Sequence, residues 1–156
     1  MATVNFVPVV GYSHRTATAA AVLRVAAAPT TSYVATTNDA DCVGWEIVKF
    51  GIDYINGDET SIQLVAQGYD GTTWRDLAYK ATQGSAVSEL TSDVIQLTKA
   101  TFSTRYGAGT VGNIMTPSFD CLGMQKVRMI VKSTGGTPTG TIAVSVTAAI
   151  LVKYGG

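Results

Sequence analysis

The stretch Thr141-Ile142-Ala143-Val144-Ser145-Val146-Thr147-Ala148-Ala149-Ile150-Leu151-Val152-Lys153 decides the fold. Ile142, Val144, Val146, Ala148, Ile150 and Val152 fall on one face. Ala143, Ser145, Thr147, Ala149 and Lys153 fall on the other, where Leu151 is the single large apolar residue. A period of two is that of a β-strand with one buried face. The second face is small and weakly polar, and suits close packing against another surface at least as well as water. Upstream, Lys126 to Ser133 reads as a second long strand. The polar turn Thr134-Gly135-Gly136-Thr137-Pro138-Thr139-Gly140 joins the two as a C-terminal hairpin.

Further strands follow outward from this pair. Cys42 to Ile55 predicts a long strand with Val48, Phe50, Ile52 and Tyr54 on one face; Gly51 within it marks a bulge or a close approach. Asn56-Gly57-Asp58 supplies the turn chemistry of a tight hairpin, with Ser61 to Gln67 returning. Asp70-Gly71-Thr72 is a second tight turn before Thr73 to Tyr79, which completes a meander from Cys42 to Tyr79. Ala19 to Ala28 and Ser32 to Thr37 predict shorter strands, with Asn38-Asp39-Ala40-Asp41 a polar turn. Val94 to Lys99 is a strand that Thr101 to Tyr106 extends. Lys80 to Thr91 and Gly107 to Gly112 read as loops. The expected fold is all-β: an antiparallel β-sandwich, jelly-roll-like, over residues 19–156, preceded by an extended N-terminal arm over residues 1–18.

Charge narrows the possible partners. Lys plus Arg and Asp plus Glu are 11 each, so the formal net charge is zero, and charged residues are 14% of the chain. Ordinary soluble domains carry about 25%. No basic excess is present to recruit nucleic acid, and no apolar run is long enough to span a bilayer. A charge-poor surface of this kind is expected to be covered in an assembly.

No constellation for catalysis emerges. His14 is the only histidine and lies in the arm, so a Ser or Cys triad has no well-placed base. Asp39 with Asp41, and Asp58 with Glu59, sit in turns and read as solvated caps. Cys42, Cys121 and His14 form no metal-ligand pattern. Gly107, Gly109 and Gly112 lack the lysine and the strand-to-helix setting of a phosphate loop. No cofactor is expected. Met1 to Phe6 lacks the basic and apolar regions of a secretory signal, so both thiols are expected free in a reducing cytoplasm.

The candidate functional residues are therefore interface residues. Trp45 and Trp74 sit at strand starts beside apolar neighbours, in keeping with core or subunit packing rather than sugar stacking. Arg128 points outward from an apolar strand toward a carboxylate or a partner, and Tyr154 contributes to a rim. In the arm, Phe6, Val10 and Tyr12 are too apolar for a loose tail. They suit an extended segment laid on its own sandwich edge or on a neighbouring subunit.

The run Ile62 to Trp74, with Asp70-Gly71-Thr72-Thr73-Trp74, is followed by Val127-Arg128-Met129-Ile130-Val131 and Ile142-Ala143-Val144-Ser145-Val146. This combination resembles small β-sandwich virion structural proteins of tailed bacteriophages, over roughly residues 45–79 and 118–154. These include capsid decoration (cement) proteins and tail or fibre components. The resemblance implies a non-enzymatic decoration protein that is made in the host cytoplasm and resides in the virion. Its partners would be a major capsid protein and further copies of itself, as a homodimer or homotrimer, with neither nucleic acid nor membrane. A tail, neck or fibre component is the alternative in the same class, and a carbohydrate-binding module the alternative outside it. No individual functional residue carries over from the resemblance.

Overall fold

The computed structural model describes residues 21–77 and 94–149. Expectations that fall on the arm, on the loop Lys80 to Thr91 and beyond Ala149 lie outside the described residues. This includes Phe6, Val10, Tyr12 and Tyr154.

Two antiparallel sheets pack face to face. Sheet A contains β1 (Ala21–Ala27), β11 (Thr141–Ala149), β4 (Ile47–Ile55) and, side by side along the far edge of β4, β8 (Gly112–Met115) and β9 (Phe119–Asp120). Sheet B contains β10 (Lys126–Thr134) and β5 (Ser61–Tyr69) at its centre. One edge of sheet B is formed by β2 (Val34–Ala35) and β3 (Ala40–Asp41), the other by β6 (Trp74–Asp76) and β7 (Val94–Thr98). With β2 and β3, β6 and β7, and β8 and β9 each counted as one strand, the chain visits A, B, A, B, B, A, B, A, and β11 lies between β1 and β4. That is the connectivity of a jelly roll, in which two Greek keys are rolled into a double sheet.

Alternation sets the core. In β4, Val48, Phe50, Ile52 and Tyr54 are fully buried; in β10, Val127, Met129 and Val131; in β11, Ile142, Val144 and Val146. Phe50 lies beside Val146 in register and meets Phe119 edge to face at 5.8 Å. The inner faces of both sheets thus close one apolar cluster, the driving term for the fold.

Several expectations need correction. β10 and β11 are not a hairpin: β10 pairs with β5, β11 pairs with β4, and the turn between them crosses from one sheet to the other. The Asn56-Gly57-Asp58 turn crosses likewise, so the segment from Cys42 to Tyr79 is not a meander. The Asp70 turn does close a true hairpin, pairing Tyr69 with Trp74. There Asp70 Oδ1 accepts from the Thr72 and Thr73 amides at 2.9 and 2.8 Å. Cys42 to Trp45 is a turn rather than the start of β4. Gly51 is no bulge, because its register with β11 and β8 is unbroken; a Cβ there would lie 2.6 Å from Ser145 Oγ. Thr101 to Tyr106 belongs to a helix, α1 (Lys99–Tyr106), whose Phe102 ring packs on Tyr54 at 4.7 Å. Ala40–Asp41 pairs with β10 as a short strand within the expected turn.

At one end of the sandwich a buried carboxylate ties the two crossings together. Glu59 is fully buried. Its Oε1 accepts from the Gly57 amide at 2.8 Å and from the Tyr54 hydroxyl. Its Oε2 accepts from the Thr139 and Gly140 amides at 3.2 and 3.1 Å. Gly57 and Gly140 let the two backbones touch: a Cβ on Gly57 would lie 2.1 Å from the Gly140 nitrogen. The expectation of a solvated turn cap fails for Glu59, because the second crossing folds over it and leaves it no route to water.

Candidate docking faces

The outward faces of the two sheets differ in kind. On sheet B the polar groups answer one another. Arg128 Nε donates to Gln67 Oε1 at 3.0 Å, and Gln67 Nε2 donates to Asp76 Oδ1 at 2.9 Å. The Arg128 guanidinium lies 3.9 Å above the centre of the Trp74 ring, and Tyr69 leans on the same ring at 5.3 Å. Farther along, the Tyr33 hydroxyl donates to Gln63 at 3.2 Å while Lys132 sits 4.5 Å over the Tyr33 ring. Lys126 pairs with Asp39 at 3.2 Å. This face is a solvated network with its hydrogen bonds largely met internally.

Sheet A presents a low, sparsely charged surface. The outward positions of β11 are Thr141, Ala143, Ser145 and Thr147, all half-buried and none charged. Those of β4 are Ile47, Lys49, Gly51, Asp53 and Ile55, with Asp53 accepting from Asn113 at 2.6 Å. One row crosses the whole sheet in register: Val22, Ser145, Gly51, Met115. Its ends, Val22 and Met115, are 55% and 58% exposed, and its middle is a shallow trough of small residues.

Among the sequence candidates, Arg128 and Trp74 come together on sheet B, and Trp45 is half-buried against the core at the sandwich end. Arg128 does point outward, but its first partner is an amide and an indole rather than a carboxylate. Trp74 has one ring face taken by Arg128. The row on sheet A was not singled out from sequence beyond β11. Its signal was there in the small outward residues of that strand, but only the register joins Val22, Gly51 and Met115 to Ser145.

An open cleft of about 450 Å³ lies where α1 meets β7 and β8. Leu97, Phe102 and Ile114 form its floor, and Arg105 is the charged residue on its described wall. Among the described residues that line it, no acid–base pair converges. Among the described residues no group of three or more His, Cys, Asp or Glu is placed to hold a metal ion. Comparison of the chain with protein-family models, curated proteins and solved structures finds no match in any of the three.

Proposed function

We propose that this chain is a non-enzymatic virion structural protein, a capsid decoration protein that seats the outer face of sheet A on a phage head lattice. The observation that carries this reading is the contrast between the faces. Sheet B meets its own polar groups, whereas sheet A offers a smooth surface of small residues flanked by Val22 and Met115. Such a surface can be desolvated at low cost, since few charges must be stripped of water. Formal neutrality and the charge-poor composition support the same reading. A protein that binds only the assembled shell stabilises it by mass action. Self-association as a dimer or trimer would multiply the contacts made to the lattice. The carbohydrate-binding alternative loses support at Trp74, whose ring face is already stacked by Arg128.

Cosedimentation with assembled capsids and with free coat subunits tests the reading. The full chain is expected to pellet with shells and not with subunits. Val22→Asp and Met115→Asp change exposed side chains, so folding stability is expected to move by no more than about 0.5 kcal/mol. Each should weaken shell binding by roughly tenfold or more, as expected when an apolar contact buried in an interface is replaced by a charge. Wild-type protein that ignores assembled shells would overturn the decoration role. Undiminished binding by both variants would overturn the choice of face.

A further inference from the structure

Two tetrapeptides of one pattern, Cys42-Val43-Gly44-Trp45 and Cys121-Leu122-Gly123-Met124, form the crossings β3 to β4 and β9 to β10, at the end of the sandwich opposite Glu59. Each is a turn closed by the fourth amide on the first carbonyl, at 2.9 Å in both. Each has its glycine at positive φ, +79° and +83°, as the third position of a type II turn requires. Each buries its cysteine fully and exposes the next residue: Val43 is 71% exposed and Leu122 67%.

The turns are related by an approximate two-fold axis. The Cys42 amide donates to Gln125 O, and the Cys121 amide donates to Glu46 O, both at 2.9 Å. The Cys42 thiol faces Met124 O at 3.4 Å, and the Cys121 thiol faces Trp45 O at 3.5 Å. In each case the partner atom lies at the same offset within the opposite turn. Such an arrangement places the two thiols on facing turns, each directed at the other turn across the axis. The sequence treats the cysteines as two separate buried hydrophobes; the fold makes them neighbours. Both are free thiols in the structure.

We propose that Cys42 and Cys121 are a latent disulfide, open as the chain folds and closed when it meets a small-molecule disulfide such as glutathione disulfide. When the exposed Val43 turn opens locally, the Cys42 thiolate attacks one sulfur of the oxidant, forming a mixed disulfide and expelling one thiolate. The Cys121 thiolate then attacks the Cys42 sulfur and expels the second. Two protein thiols are oxidised, one small disulfide is reduced, and the two protons leave on the released thiols. Cys42, whose pKa is lowered by its neighbour Cys121, is the attacking sulfur, while Cys42 and burial raise the pKa of Cys121. The bond would join the two crossings and lock sheet A to sheet B at this end. It involves neither outward sheet face, so it stands apart from the docking assignment.

The test uses the full chain, purified reduced and then equilibrated natively with glutathione buffers of increasing disulfide fraction. Samples are alkylated under denaturing conditions and mapped by mass spectrometry. The expected product is an intramolecular Cys42–Cys121 peptide pair with no retained glutathione, accompanied by a rise in Tm of roughly 5–10 °C. Cys42→Ala should abolish both the pair and the shift. Should that variant not fold, reversal of the shift by dithiothreitol in the wild type supplies the same control. Thiols that stay reduced in the native protein, a stable single glutathione adduct, or a bridge formed only in urea would each overturn the proposal.

Discussion

Glu59→Gln is expected to destabilise the domain by about 3 kcal/mol, a fall in Tm of roughly 10 °C, even though the side chains are the same shape. The reason is donor counting. The carboxylate accepts from the Tyr54 hydroxyl and from the amides of Gly57, Thr139 and Gly140. A glutamine keeps one accepting oxygen and turns the other into a donor, which then faces donors. Buried amides left without acceptors bear the desolvation cost. The effect is also pH-dependent. Burial raises the Glu59 pKa, but the hydrogen bonds from Tyr54, Gly57 and Gly140 outweigh it and leave the group below its ordinary value. A carboxylate depressed in the folded state contributes stability above its unfolded pKa, about 4.3. That contribution is lost as pH falls through the lower folded value. Thermal melts of wild type and variant should therefore be well separated at pH 7 and converge toward pH 2. A constant separation over that range would show that folding does not lower the Glu59 pKa, and a separation that shrinks as pH rises above about 4.3 would show that Glu59 folds protonated.

Val146→Asp is expected to abolish folding. Val146 is 3% exposed, lies beside Phe50 in register, and faces the interior of the sandwich. An aspartate there has no charged partner within the apolar cluster. The cost of burying it, upwards of about 5 kcal/mol, is comparable with the whole stability of a domain of this size. Thr147→Asp is the matched control. Its side chain emerges on the outer face, directly across from Lys49, where an opposite charge is mildly favourable. Soluble yield and circular dichroism should show an unfolded or insoluble Val146 variant and a near-native Thr147 variant. Equal tolerance of both would mean that the inward face of β11 is misassigned.

The strands that could be read from sequence are those with one buried face. β4, β10 and β11 carry their core residues at every second position, and that pattern is local. What joined them could not be read in the same way. Asn56-Gly57 closes a hairpin or an arch between sheets with equal ease, because the turn's backbone angles do not record where the next strand pairs. α1 escaped because its eight residues include Thr101, Phe102, Thr104 and Tyr106, types that favour strands. Its existence depends on Phe102 docking against Tyr54. The burial of Glu59 depends on Gly140, 81 residues away, and the meeting of the two cysteines depends on two turns in separate halves of the chain. Each of these is a property of tertiary approach. The docking row was half legible: Ser145 and its neighbours announce a small, uncharged face, but the residues completing the row are set by register.

The placement of β11 between β1 and β4 has a further consequence, for the order in which the protein can be made. Among the described strands, sheet A has no continuous hydrogen-bonded path until β11 arrives, since β1 and β4 each pair with β11 and not with each other. A nascent chain that has emerged only as far as β10 can complete sheet B but carries two unsatisfied strand edges and half of an uncovered core. Closure of sheet A thus waits for β11 to emerge, and its dominant pairings join residues far apart in sequence, a topology that folds slowly. During that interval the exposed edges of β1 and β4 are the segments most prone to pair with another copy. Chains truncated before Thr141 should accumulate as aggregates, with β1 and β4 still lacking the strand that lies between them.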